Sequence, residues 1–488
     1  MIRKIAAVSE LPEYHDGLLI VKVRPSVAGS SFASVTGERM LGMRSSPGLS
    51  ALAAFERSGL IKRVVSLSRR SEAATKSLGS LSPIASFARS AERAESDPTN
   101  PSAGVSLLEL ERDGDLPDMR DALAADPSVE YVSRVPVRYL AMPVRSRETD
   151  KPSAGGDAVA LGAPPQATSL WNLKKINWQQ ARSSANFRDA TNIRVAVLDT
   201  GIDRNHPDLS TRVENYTFQH PDISVPVGEK DIIGHGTHVA GTIAALINNN
   251  VGINGICECR LSAWKIFGDN AVFASYDEGF VYFVDPFMYR RALADCLDEK
   301  IDVINLSIGG SGKPDPQESQ LFKSLLLKGT AIVAAMGNER QDGSPISYPA
   351  AIPGVIAVGA TGADDRIALF SNRGGHISLC APGVGIWSTL PTYPGQTGFA
   401  AVAGANGQPR QGKPFRREIN YDSWDGTSMA SPHVAAAAAL LIAKTGQMSP
   451  ADVRQSLTEA ADKVPAMGGN DFDQDYGTGR LNLLRLLN

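Results

Sequence analysis

Four short stretches carry the residue types that nucleophilic catalysis needs. "VAVLDTGID" (Val195–Asp203) is apolar until it ends in an acid and a glycine, so it reads as a buried strand that delivers the Asp199 carboxylate to its carboxyl end. That carboxylate has three readings: one half of a two-aspartate dyad, for which Asp-Thr-Gly is a signature, the acid that orients a histidine, or a turn residue. In "GHGTHVAGT" (Gly234–Thr242), glycines leave the His235 ring room at the mouth of an apolar helix. "IVAAMGNE" (Ile332–Glu339) runs from a strand into Asn338, a side-chain amide that suits either a turn or an oxyanion hole. "DGTSMASPHVAAAAALLIAK" (Asp425–Lys444) places Ser428 at the start of a long apolar helix. There its hydroxyl feels a partial positive charge and its backbone N–H can face a developing oxyanion; the competing reading is a capping sequence on a core helix. Pro432 falls in the first turns, where a missing N–H costs little.

These residues must be held by a fold, and the segments around them alternate between Val/Ile/Ala-rich strands ("IRVAVLD", "RLSAWKIF", "DVINLSIGG", "AIVAAMG", "VIAVGA") and amphipathic helices. Continuous apolar strands of this kind form a largely parallel sheet covered on both faces, with its site at the carboxyl ends of the strands. Asp199 and Asn338 both fall at such ends. His235 and His238 are three apart on one helix, but no acid stands between them as a zinc-protease helix requires, so His238 reads as a buried core histidine.

Upstream of this region, "GLLIVKVRP", "SALAAFERSG", "LIKRVVSLS", "VSLLELE", "LPDMRDALAADP" and "VEYVSRVPV" give the order strand, helix, strand, strand, helix, strand of a ferredoxin-like split βαβ unit. A Ser/Ala/Arg-rich insertion over about 68–103 interrupts it. The Gly/Pro/Ser-rich stretch that follows reads as an exposed linker. The expected organisation is therefore a small α+β domain over 1–141, a linker over 142–169 and an α/β domain over 170–488.

In a chain of 488 residues, 42% hydrophobic and 21% charged residues are the make-up of an ordinary soluble globular protein. A formal net charge of −3 gives no electrostatic case for a nucleic-acid partner. Four cysteines make neither a disulfide framework nor a zinc spacing and read as buried thiols. "VAAAAALLIA" falls well short of the roughly 18 apolar residues that span a bilayer, so no membrane partner is expected. The amino terminus lacks a secretory signal, which makes the expected location cytoplasmic, or secreted if a native signal precedes this sequence.

Taken together, in the order Asp, His, Asn, Ser, these motifs resemble the subtilase family of serine proteases. "VLDTGID…HPDL", "HGTHVAGT", "INLSIGG", "GNE…YPA", "FSNRGG" and "DGTSMASPHVA" carry the resemblance, which covers about Leu170 to Leu487. A second Asp-Thr-Gly is absent, which removes the dyad reading. The resemblance implies a subtilisin-like parallel sheet and a serine endopeptidase in which His235 takes the Ser428 proton, Asp199 orients His235, and Asn338 with the Ser428 N–H holds the oxyanion. It needs no cofactor for this chemistry. A protein or peptide substrate would pair with Ser307, Ile308, Gly309 and Gly310 on one side and lie against Ala334, Ala335, Met336 and Gly337 on the other. Glu339 is expected at the rim of the primary pocket and Ser347 near its floor.

By the same resemblance, "INNNVGING" (Ile247–Gly255) is a calcium loop, with ligands from the Asn249 side chain, the carbonyls of Ile247, Val251 and Ile253, and the Asp208 carboxylate; Gln166 is a further candidate. A plain Asn/Gly turn is the alternative. The first domain resembles the family's inhibitory prodomain, an intramolecular partner with cleavage near Ala141–Met142. Two stretches depart from the pattern. One, at about 268–291, carries aromatics that should sit beside the cleft. The other, at about 391–420, carries Arg410, Lys413, Arg416 and Arg417 and reads as a solvated loop, or as a gate or regulatory cleavage site. Two rival functions remain: a processing protease dedicated to one partner, and an inactive binding protein that keeps the fold.

Overall fold

The computed structural model describes residues 11–24, 50–67, 100–111, 116–140, 170–222, 224–404 and 407–488. Most of the expected insertion at 68–103, the linker over 142–169 with Gln166, and the cleavage residues Ala141 and Met142 lie outside them. The chain divides into two units, Glu13–Val137 with Lys313–Ser324, and Met1–Pro12 with Arg138–Gly312 and Leu325–Asn488. The division at Val137/Arg138 falls a few residues before the expected boundary at 141, and it assigns Lys313–Ser324 to the smaller unit.

The smaller unit has the expected element order: β1 (Tyr14–Val23), α1 (Ser50–Arg57), β2 (Ile61–Ser66), β3 (Val105–Leu110), α2 (Leu116–Ala125) and β4 (Val129–Pro136). The strands lie in the order β2-β3-β1-β4, each antiparallel to its neighbour. Alternate residues Leu19, Val21 and Val23 of β1 and Leu108 and Leu110 of β3 pack with Met119 and Leu123 of α2, as the period-two pattern requires.

The larger unit is built on seven parallel strands: β6 (Arg194–Asp199), β7 (Val213–Thr217), β8 (Arg260–Lys265), β11 (Val303–Leu306), β13 (Ala331–Ala335), β14 (Ile356–Thr361) and β15 (Leu379–Pro382). Their order is β15-β14-β13-β11-β6-β8-β7. Two further helices matter for the site, α3 (His235–Ala244) and α5 (Thr427–Thr445), with α4 (Pro286–Glu299) between them in sequence. Helix α5 is buried without interruption from Thr427 to Ile442, which explains why it carries alanine all round in place of a polar stripe. Val434, Leu440 and Leu441 join Val195, Val197, Val333 and Val358 of the sheet in one core. Removing a side chain such as Leu440 costs about 2–5 kcal/mol in a core of this kind. Cys257, Cys259, Cys296 and Cys380 are all buried and unpaired, and none of the described helices is long and apolar enough to cross a membrane.

Short pairs complete this unit: β5 (Tyr139–Leu140) with β12 (Ile308–Gly309), and β16 (Ile386–Thr389) with β19 (Tyr421–Trp424). The two stretches that depart from the family pattern are not separate loops. They form β9 (Val272–Ser275), β10 (Gly279–Val281), β17 (Gln396–Ala403) and β18 (Pro409–Arg416), which make one antiparallel sheet in the order β18-β17-β10-β9. The first departure also ends sooner than expected. Asp285 accepts from the Phe287 and Met288 N–H groups, caps α4, and so places residues 286–291 in an ordinary helix.

Candidate active site

Strand β6 ends at Asp199, and α3 begins at His235. His235 Nδ1 and Asp199 Oδ1 are 2.7 Å apart, with the imidazole fully buried. Asp199 Oδ1 also accepts from the Thr200 N–H at 2.7 Å. The strand end and the helix start approach so closely that a β carbon on Gly236 would run into the Gly201 carbonyl, which is why glycine follows the histidine.

A second carboxylate organises this junction. Asp231, fully buried, accepts from Thr200 Oγ1 (2.7 Å) and Gly234 N–H (2.8 Å) on one oxygen, and from Thr237 N–H (3.0 Å) and Thr237 Oγ1 (2.6 Å) on the other. Thr200 Oγ1 in turn accepts from Gly236 N–H at 2.9 Å. Asp231 thus ties the end of β6 to the exposed N–H groups at the start of α3. The sequence reading missed it. The one available signal was an acid four residues before the histidine in "DIIGHGTH".

The base of the inserted sheet holds the same turn from outside. Arg417 Nε and Nη2 donate to the carbonyls of Ile232 (3.0 Å) and Asp231 (3.2 Å), and Tyr393 Oη accepts from the Asp231 N–H at 2.9 Å. Arg417, expected in a solvated loop or gate, is 6% exposed. Burial lowers its pKa.

Ser428 lies in the first turn of α5 and is fully buried. Its Oγ donates to the Ser307 carbonyl at 3.2 Å, whereas His235 Nε2 has no hydrogen-bond partner. The structure therefore makes the His–Asp link and leaves the Ser–His link unmade. Asn338 Oδ1 accepts from both the N–H (2.9 Å) and the hydroxyl (2.8 Å) of Thr427, which fixes the amide orientation and turns Nδ2 outward. A β carbon on Gly426 would stand 3.5 Å from Asn338 Nδ2 and 3.6 Å from the Ser428 N, so both nitrogens border the same small space beside Gly426.

Ile308 and Gly309 of β12 pair antiparallel with Leu140 and Tyr139 of β5. On the other side Tyr139 bridges Phe283, and the Val284 N–H donates to the Arg138 carbonyl at 3.0 Å. Residues 138–140 thus run as a strand between two others. Ser307 is held by Asn305 and reaches the Ser428 carbonyl and the Ser431 hydroxyl. Ala334 and Ala335 close β13, Met336 is buried, and Gly337 donates to Thr427 Oγ1 at 3.2 Å. Gly310 N–H meets Ser347 Oγ at 3.4 Å. Glu339, expected at an open rim, is 3% exposed, and Asn372 Nδ2 donates to it at 2.7 Å. Burial raises its pKa.

At the expected calcium loop Asp208 is fully buried and accepts from Asn249 Nδ2 (2.6 Å), Ile253 N–H (3.1 Å) and Tyr421 Oη (3.1 Å). Among the described residues no lysine or arginine pairs with it, so a buried carboxylate is met by neutral groups only. A β carbon on Gly252 would collide with Asp208 and Tyr421, so the loop closes tightly around the carboxylate. Asn249 Oδ1 accepts from the Val251 N–H, and Ile253 is buried, while Val251 is exposed and Ile247 half-buried. The loop therefore meets Asp208 through N–H and O–H donors, the Asn249 amide among them. His238 is the core histidine expected. It is fully buried, stacked on Trp424 with ring centroids 4.9 Å apart, and lowered to a pKa of about 3, chiefly by burial and then by His235.

The carboxyl end of a parallel strand thus meets the start of a helix in a buried Asp–His pair, and Asn338 is tied through Thr427 to the start of the helix that carries Ser428. The family model for the subtilase family matches residues 190–479, and the chain belongs to that family. It is 35% identical to subtilisin E of Bacillus subtilis (strain 168) over 305 residues, 60% of this chain and 65% of that protein. The alkaline protease of Shouchella clausii is 32% identical over 367 residues, 75% of this chain and 76% of the other. Among solved structures, fervidolysin of Fervidobacterium pennivorans, described as a keratinolytic enzyme related to subtilisin, matches with a TM-score of 0.63 at 25% identity, covering 97% of this chain and 61% of that one. The chain thus spans just under two thirds of the length of the first subtilisins it matches.

Proposed function

We propose that this chain is a serine endopeptidase made as a self-inhibited proenzyme. The observation that carries the reading is the buried 2.7 Å His235–Asp199 bond, with the His235 Nε2 left without a partner and the Asn338 Nδ2 and Ser428 N both bordering Gly426. Ser428 Oγ, rotated from the Ser307 carbonyl toward His235 Nε2, attacks the substrate carbonyl while His235 takes its proton. Asp199 holds the imidazole tautomer and offsets the charge that appears on it. Asn338 Nδ2 and the Ser428 N–H stabilise the oxyanion, His235 returns the proton to the leaving amine, and water then hydrolyses the acyl-enzyme.

The pairing of Tyr139 with Gly309 and Leu140 with Ile308 supports the second half of the reading. It is how a substrate strand would be held, by addition of a strand to an edge. In that register the next residue, Ala141, precedes the bond to be cut, and the smaller unit acts as the prodomain. Calcium at Asp208 and the Ile247–Gly255 loop would act as a structural ion. Asp208, the Asn249 side-chain oxygen and the carbonyls of Ile247, Val251 and Ile253 would hold it. Exhaustive chelation should then lower the melting temperature, by an amount that follows the calcium concentration relative to its Kd; an unchanged value in metal-free protein would assign the loop to a plain turn. An active-site fluorophosphonate tests the central assignment. It should label the processed protein once, at Ser428, and leave Ser428→Ala unlabelled, whereas no labelling of processed protein would refute the nucleophile.

A further inference from the structure

The inserted sheet is the largest feature that the proposed chemistry leaves unused. Side chains directly opposite one another on paired strands share a face. The pairings Phe280↔Phe273, Phe280↔Phe399 and Phe399↔Pro414 therefore set one row across all four strands, and these residues are half-buried. On the opposite face Val281 pairs with Val272, and Phe415 lies against Gly398, where a β carbon would stand 3.5 Å from its ring. Val272 is 52% exposed and Phe415 44% exposed. A valine and a phenylalanine this open on one face of the sheet form an apolar surface of the sort that binds polypeptide.

Two observations say what it binds. The first is continuity. One residue after strand β10, Phe283 and Val284 pair with Tyr139 and Arg138. Because that pairing is antiparallel, a polypeptide prolonged past the position of Leu140 travels back toward Val281 and Gly279, toward the inserted sheet. Gln396 Nε2 joins Tyr282 Oη at 3.2 Å, and Arg417 fixes the base of the sheet to the turn before His235. The second is charge. Arg410 and Lys413 are exposed on the edge strand β18, and among the described residues neither has an ionic partner.

We propose that this face is a docking surface for the protein substrate itself, engaging an extended apolar segment with acidic residues on the carboxyl side of the scissile bond. The proposal rests on the endopeptidase reading above. It assigns the two insertions a role in choosing polypeptides over short peptides.

The test compares the processed enzyme with two variants, Phe415→Ser combined with Val272→Ser, and Lys413→Glu combined with Arg410→Glu. The substrates are β-casein, an acidic unfolded protein, and the p-nitroanilide of Arg-Tyr-Leu-Ala, which ends at the cleaved bond. KM for β-casein should rise about five-fold or more in both variants, while kcat/KM for the anilide stays within about two-fold. Unchanged β-casein kinetics, or equal losses on both substrates, would overturn the proposal. So would a dimer that the Phe415/Val272 variant dissociates, because the occupant would then be a second copy. Binding of β-casein to Ser428→Ala protein, with and without the Lys413/Arg410 changes, reads the surface separately from catalysis. Weaker binding in the charge-reversed protein supports the docking surface even if the parent hydrolyses nothing, which would defeat only the endopeptidase reading.

Discussion

The proposed catalytic site and the inserted sheet are a few residues apart in the chain, yet they are built on opposite terms. Around the proposed site, parallel strands buried on both faces meet polar groups that are held by several hydrogen bonds each. Four donors fill Asp231, two fix Asn338 Oδ1, and the Gly236 position admits no side chain. The inserted sheet is antiparallel, half-covered and open along one edge. The difference separates two tasks. A site that must hold donors to within a fraction of an ångström needs an over-determined frame, whereas a surface that accommodates varied polypeptide needs area and charge more than precision.

The contrast can be broken by substitutions that ask each region for its own kind of loss. The largest effect belongs to Asn338→Ala. It should lower kcat about 100- to 1,000-fold, the range known for loss of one oxyanion-hole donor in subtilisin itself, with KM nearly constant. A small effect, or one confined to KM, would remove Asn338 from the oxyanion site.

Next is an acid sensitivity confined to the framework. Burial lowers His238 to a pKa of about 3 and His433 to about 4, from an unfolded value near 6.5. A depressed pKa contributes stability that is fully present above the unfolded value and is lost as pH falls through the folded one. Both groups therefore make the larger unit less stable between about pH 6.5 and pH 3. Denaturant unfolding at steps across this window should show the loss, and a flat profile would mean that these histidines are not held neutral. The inserted sheet carries no histidine, so it adds no histidine-driven loss of its own.

The smallest effect is on the sheet. Phe415→Ser should change folding stability by no more than about 0.5 kcal/mol, because the side chain is already 44% exposed. A melting temperature that falls as far as for a core substitution would mean that the face is covered and is not a docking surface.

How much was legible in the sequence divides along the same line. The parallel strands and the buried helix α5 stood out because their signals are local: an apolar run, a glycine, a helix start. Asp199, His235, Asn338 and Ser428 became a candidate site only through their order together, which carried the family resemblance. The order of the small α+β unit was legible for the same reason. Asp231 and Arg417 were not, because each matters through partners distant in the chain, and a lone acid or arginine in a loop has no period to betray it. The two insertions were visible as insertions but not as one sheet. Strand pairing between segments more than a hundred residues apart leaves no trace in either segment alone. Glu339 was placed at a rim by the family resemblance alone. Its burial depends on Asn372, which the local sequence does not announce.

The central claim, a serine nucleophile that first acts on its own chain, is tested most directly by intact-mass analysis. The full chain and its Ser428→Ala variant are incubated in parallel with calcium. The account predicts that the parent alone loses its amino-terminal segment, with the cut near Ala141, while the variant stays at full length. Identical cleavage in both would contradict it, because another protease would then have made the cut. Full length retained in both, with no fluorophosphonate label on the parent, would contradict it as well.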